Sequence, residues 1–347
     1  MKLLALYTQL GGLVLLGFIL SSKLPKAVPT YLGQFLFWIG VPISILAFLR
    51  QTDLSGAIWL APIFAWLAIL LGAAGAWCWI CLVRGQRQEV RGQRRSEEAE
   101  EAEEAEGEKP VGALFRAFLR TRHSFVATHS SFLSKPTQGS FLLAAMVGNT
   151  GYIGYPIALA VVGTQYFGWA LFYDLLGSTL GAYGLGVVLA ARFGKGVNNY
   201  RQLAQAIFIN PALWSFCLGL VFRQVPLPHL AELSLQKLGW IVVSLALVLI
   251  GMRLQKLNSW HSLPKASISL AIKMLLVPLI LGSILSLFGI TGAPRLVIVL
   301  QMAMPPAFAT LVIAEAYDLD RDLAVTALAI GTIGLLFTLP IWLSLFG

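Results

Sequence analysis

The residues of this chain that could do chemistry gather at two places. One is the run Gly148-Asn149-Thr150-Gly151-Tyr152-Ile153-Gly154-Tyr155-Pro156, and the other is Gln301-Met302-Ala303-Met304-Pro305-Pro306-Ala307. Each interrupts an apolar segment near its centre. Proline lacks the N–H that would bond to the carbonyl four residues back, so Pro156 frees the C=O of Tyr152, while Pro305 and Pro306 free those of Gln301 and Met302. Helices restarting near Ile157 and Ala307 would present unpaired N–H groups and partial positive charge. Asn149, Thr150, Tyr152 and Gln301 add neutral polar side chains, and neither break holds a Lys or Arg. Dipoles and amides of this kind suit a small anion, held firmly enough to select a carboxylate and loosely enough to release it. The binding set expected on these grounds is Asn149, Thr150, Gly151, Tyr152, Gly154, Pro156, Gln301, Met304, Pro305 and Pro306. The plainer alternative is a pair of proline kinks filled by ordered water.

Charge inside apolar segments is scarce. Asp174 lies about 9 Å into its segment, counting from Gly168 at about 1.5 Å per residue, and is the candidate coupling group for H+ or Na+, with a polar contact at the membrane interface as the alternative. Glu315 fits a paired interface residue near Arg253 and Arg321, and Lys273 fits a side chain reaching to the headgroups, with no role assigned. Cys78-Trp79-Ile80-Cys81 has redox spacing but sits in an apolar helix, where packing is the better account. The four histidines (His123, His129, His229, His261) fall in loops without metal-ligand spacing. No nucleophile–base pair is visible, so no enzyme, metal or cofactor is expected.

The elements that must position these residues follow from composition. The chain is 57% hydrophobic and 12% charged, against about 25% charged in soluble domains, which makes it an integral membrane protein. Ten spans are expected, at 3–21, 31–49, 57–83, 138–163, 168–192, 203–222, 231–252, 267–288, 294–316 and 323–346. Asn210-Pro211 reads as the start of the sixth, Asn as cap and Pro at the first helical position, after an amphipathic lead-in over 199–209. At about 1.5 Å per residue, Asn149 and Pro305 each lie about 16 Å into their spans, mid-membrane for a core of about 30 Å. The two breaks should then meet. The net charge of +9 does not point to nucleic acid, because Lys and Arg fall between the spans. Nineteen of the 25 lie on one side, and Lys2, Arg50, Arg223, Lys237 and Arg295 on the other, with Lys273 inside a span. The positive side is cytoplasmic, which puts both termini outside the cytoplasm and the loop 84–137 within it.

That loop opens with Arg84, Arg87, Arg91, Arg94 and Arg95, continues with eight glutamates from Glu97 to Glu108, and ends in a segment from Gly112 with Leu and Phe at helical spacing. The acidic tract reads as a solvated tether and the last part as a helix lying in the interface. Five spans per half is an odd number, so two similar halves must be inverted. Phe48-Leu49-Arg50-Gln51-Thr52-Asp53-Leu54 resembles Gly251-Met252-Arg253-Leu254-Gln255-Lys256-Leu257 at matching places.

The runs around Asn149 and Pro156, Asn210-Pro211, Met304-Pro305-Pro306-Ala307, Ala316-Tyr317-Asp318-Leu319-Asp320 and Thr338-Leu339-Pro340-Ile341-Trp342 together resemble the auxin efflux carrier family over nearly the whole chain outside 84–137. The resemblance implies an all-α membrane fold of ten helices in two inverted five-helix repeats, with discontinuous helices 4 and 9 crossing near mid-membrane. It is similar to bile-acid symporter and sodium/proton antiporter architectures. The expected organisation is helices 1–3 over 1–83, the polar loop 84–137, helices 4–5 over 138–192 and the second repeat over 193–347. The expected function is a permease of the cell (inner) membrane moving a small organic anion, a carboxylate or auxin-like acid, by alternating access. Its partners are that anion and the lipid bilayer, with H+ or Na+ as coupling ion, a homodimer as assembly, and no nucleic acid. A sodium-coupled symporter of the bile-acid type, with cation bound at the freed carbonyls of Gln301 and Met302, and a non-transporting ligand sensor are the alternatives.

Overall fold

The structure is a computed structural model describing residues 2–25, 27–104, 134–194, 209, 211–254 and 262–347. Among these the regular structure is helical, with no strand beyond one isolated pair of bridged residues. Six helices among the described residues are long and apolar enough to cross a membrane. In chain order the elements are α1 (Lys2–Lys23), α2 (Val28–Leu49), α3 (Leu60–Glu104), α4 (Lys135–Met146), α5 (Thr150–Val162), α6 (Phe167–Phe193), α7 (Pro211–Phe222), α8 (His229–Leu254), α9 (Leu263–Phe288), α10 (Gly292–Met302), α11 (Phe308–Ala316) and α12 (Arg321–Phe346). The expected fourth span is thus α4 plus α5, and the ninth is α10 plus α11, each divided at its anticipated break.

The two boundaries of the polar loop 84–137 differ from expectation. α3 continues past residue 83 to Glu104, so the basic start of the loop and part of the acidic tract prolong the third span. α4 begins at Lys135, because the Ser134 hydroxyl accepts the N–H of Thr137 and Pro136 sits in the first turn. The expected interfacial helix, the cap at Asn210 and most of the lead-in before it lie outside the described residues; Pro211 does open α7.

Proline shapes the long helices from within. Wider, π-type turns at Leu36–Gly40, Thr150–Gly154 and Ile272–Leu276 each end two residues before a proline, namely Pro42, Pro156 and Pro278. The ring cannot donate and crowds the carbonyl four residues back, and a widened turn relieves both without ending the helix.

The helices sort into two groups. α1 packs along α8, and α2 packs along α7 and α8. The first contact is close because Gly17 lies on the Val248 carbonyl and Gly251 on the Val14 carbonyl, where any Cβ would collide. The second group joins α3, α4, α5, α6 and α9 to α12. Gly72 lies on the Ala145 carbonyl, Gly177 on Ala65, and the Trp66 indole N–H donates to the Leu176 carbonyl at 3.0 Å. Asp320 ties the starts of α4 and α12 together: its carboxylate accepts from the Thr137 hydroxyl at 2.8 Å and from the Leu323 N–H at 3.0 Å.

Candidate functional site

The two breaks meet, and they meet by backbone pairing. Gly148 and Pro306 form an antiparallel bridge in which the Asn149 N–H donates to the Pro305 carbonyl at 2.7 Å and the Ala307 N–H donates to the Val147 carbonyl at 3.0 Å. Bonds of this kind remove much of the cost of interrupting two helices in an apolar medium. The remaining groups are handled locally. The Asn149 side-chain oxygen accepts the Tyr152 N–H at 3.3 Å, and the Asn149 carbonyl accepts those of Ile153 and Gly154.

Against this crossing lies a cavity of about 550 Å³. Its floor is Val147 to Tyr152 with Ala307 and Phe308, and its walls include Phe37 and Trp38 of α2, Asp174 and Tyr183 of α6, and Arg253 of α8. The α2 lining runs from Pro29 to Val41 and the α6 lining from Asp174 to Ala182 and Tyr183. The cavity therefore reaches from the crossing to the face where α2 begins, and takes no residue from the opposite ends of those helices.

Of the residues expected from sequence, Asn149, Thr150, Gly151, Tyr152 and Asp174 line this cavity, and Tyr155 and Ala307 join them. Gly154, Pro156, Met304, Pro305 and Pro306 lie behind it as the structure of the crossing. Gln301 is fully buried with its amide against Gly154, and neither its oxygen nor its nitrogen has a hydrogen-bond partner among the described residues. Asp174 is 8% exposed and accepts from the hydroxyls of Thr150 and Tyr155, the latter at 2.6 Å. Its carboxylate thus spans from α6 to the start of α5, beside the crossing.

Two cations missed at the sequence level belong to the neighbourhood. The Arg253 guanidinium lies 3.8 Å over the Phe308 ring, its edge rests on Gly33, where a Cβ would stand 2.7 Å from it, and it lines the cavity. A positive charge from the first helix group thereby stacks on the first residue of α11 in the second. The signal available was the likeness of the stretches around Arg50 and Arg253, which marked a position without showing which way it faced. Lys273 does not reach a headgroup layer: it is 1% exposed and donates to the Met302 carbonyl at 2.7 Å. By contrast Glu315 pairs with Arg321 at 2.7 Å on the surface, as its placement suggested. Cys78 and Cys81 are exposed on α3, so packing inside the bundle does not account for them.

Comparison with known proteins finds membrane transporters. The sequence pattern of a family described as membrane transport protein matches residues 123–343. The chain is 33% identical over 210 residues to an uncharacterized transporter of Methanothermobacter thermautotrophicus, covering 60% of this chain and 68% of that one. It is 28% identical over 235 residues to an uncharacterized transporter of Methanocaldococcus jannaschii, covering 67% and 73%.

Proposed function

The chain belongs to the auxin efflux carrier family of membrane transport proteins, and from that premise we propose that this multi-pass membrane transporter is a secondary carrier of a small organic anion, in the first place a carboxylate. The observation that carries the reading is the bridge between Gly148 and Pro306 at the floor of a cavity of about 550 Å³. It brings the N-terminal ends of α5 and α11 to one volume, where their dipoles favour negative charge. Asn149 supplies an amide and Arg253 a full positive charge from the wall. Phe37, Trp38 and Phe308 give that volume an apolar lining, which suits an anion with an apolar body.

Alternating access would come from the α1, α2, α7 and α8 group rocking against the group that holds the crossing. Support for two inverted five-helix repeats lies in the packing pattern. The first span packs on the seventh as the sixth packs on the second, the third packs on the fourth as the eighth on the ninth, and the tenth contacts α4 as α6 contacts α10. With the Lys- and Arg-rich face cytoplasmic, the cavity is open inward. Asp174 is the coupling candidate, since it touches both the cavity and the start of α5.

The test is a carboxylate screen by ligand-induced thermal stabilisation of the purified protein, followed by uptake of the hits into proteoliposomes. Asn149→Ala should still fold, losing about 1 kcal/mol with its cap, yet lose most of the stabilisation by ligand and most of the uptake. If it binds and transports like the parent, the anion does not sit at this crossing.

A further inference from the structure

One buried amine is left over by the site as described. Lys273 lies in the widened turn Ile272–Leu276 of α9, does not line the cavity, and has no ion-pair partner among the described residues. Its ammonium has one hydrogen-bond acceptor there, the carbonyl of Met302 at 2.7 Å. Met302 is four residues before Pro306, so its carbonyl is one that proline deprives of a helical partner. The same side chain also touches the other break. A Cβ on Gly148 would stand 3.2 Å from the Lys273 Cε and 3.3 Å from Nζ, so the ammonium rests on the Gly148 backbone.

The position has an electrostatic logic. α4 ends at Met146 and α10 at Met302, so both half-helices arrive at the crossing with their C-terminal ends and bring partial negative charge to one place. Two such ends in an apolar surrounding call for a cation. A carrier can take that cation from solution on every cycle, in which case transport is coupled to it, or can carry one on a side chain.

We propose that the Lys273 ammonium is a tethered cation standing at the helix ends where a coupling Na+ would otherwise bind, and that anion transport by this protein therefore needs no Na+. The inference rests on the reading of the crossing as the transport site and deepens it by fixing the coupling. Lys273 is a positioning and specificity-determining group here and does not touch the anion. Gly148 is the complementary feature, because a Cβ there would stand 3.2–3.3 Å from the end of the Lys273 side chain and the ammonium would have to shift by a few tenths of an ångström.

The experiment compares the purified full-length parent with Lys273→Met in NaCl and in choline chloride of equal ionic strength, reading Tm, and reads uptake of a carboxylate hit in the same salts. The parent should show the same Tm and uptake in both. Lys273→Met should have a lower Tm in choline chloride and recover part of the loss, saturably, in NaCl. A parent stabilised or driven by Na+ overturns the proposal, and so does a Lys273→Met protein equally impaired in both salts, which is the behaviour of a residue that only packs. If Lys273→Met cannot be purified, Lys273→Gln is read by the same criteria, and the parent's own salt response still decides. Carboxylate-induced stabilisation measured on the same samples keeps the two readings apart. Its absence in every sample rejects the anion site and leaves the salt comparison standing; its presence alongside a Na+-stabilised parent rejects only the tethered cation.

Discussion

Arg253→Gln is the perturbation that bears most directly on how an anion would be held. The guanidinium stacks 3.8 Å over Phe308, rests on Gly33 and faces the cavity beside Asn149 and Tyr152. Glutamine keeps a polar end of shorter reach and removes the charge and the planar stack. A hydrogen bond to a charged group contributes about 1.5–3 kcal/mol, so loss of one such contact should weaken carboxylate binding by about 10- to 150-fold at 1.4 kcal/mol per decade. The stack itself contributes about 0.5–2 kcal/mol, so the unliganded protein should also lose a little stability. These effects separate in one assay, a titration of Tm against carboxylate concentration: the starting Tm reports the stack and the midpoint of the rise reports the affinity. Arg253→Lys keeps the charge without the plane and should fall between the two in affinity, with the stability loss of the glutamine variant. Affinity of Arg253→Gln within about twofold of the parent, a difference of about 0.4 kcal/mol, would refute the assignment of Arg253 to the anion and return the burden to the helix ends alone.

Asp174→Asn keeps the shape of a group that accepts from Thr150 and Tyr155 but removes its titratable charge; uptake should lose its dependence on an imposed pH gradient while exchange of carboxylate across the membrane persists, and an unchanged gradient dependence would reduce Asp174 to a fixed tie between α6 and α5. Replacing residues 97–108, a Glu/Ala/Gly tract with no large apolar side chain, with a Gly/Ser linker should leave the uptake rate within about threefold, because such a tract has little to bury; loss of uptake with normal membrane insertion would assign the tract a role in transport.

Several features of this molecule are local properties of the chain and were legible there. Apolar run length is one, and it placed α2, α6, α8, α9, α12 and the apolar part of α3, Leu60–Gln86, to within a few residues. The breaks are another: a proline removes a donor wherever the chain goes, so interruptions at Pro305 and Pro306, and around Asn149 and Pro156, required no knowledge of neighbours. Even the meeting of the two breaks followed from depth, since both lie mid-span. Their pairing into an antiparallel bridge did not, because it depends on how two backbones approach.

Rotation of each helix about its own axis was decided by tertiary structure alone. A soluble helix announces its inner face by a stripe of apolar residues against polar ones, but a helix in lipid is apolar on every side, and lipid tails resemble leucine too closely for hydropathy to separate lipid-facing from protein-facing positions. Hence Gln301 could be assigned to the break yet not seen to turn into the protein, away from the cavity. Lys273 read as a side chain reaching for headgroups until α9 proved to point it at the Met302 carbonyl. Arg253 lay in an end-of-span motif whose facing was undetermined, and packing brought it over Phe308. The sequence by itself determined that this is a membrane protein with two helices broken mid-span, because span length and proline chemistry are written residue by residue. Which charges stand at the crossing, and which side the cavity opens to, only the tertiary structure decided, because in an apolar solvent helix facing is set by close contacts at residues such as Gly17, Gly33 and Gly72 and leaves no periodic trace in the chain.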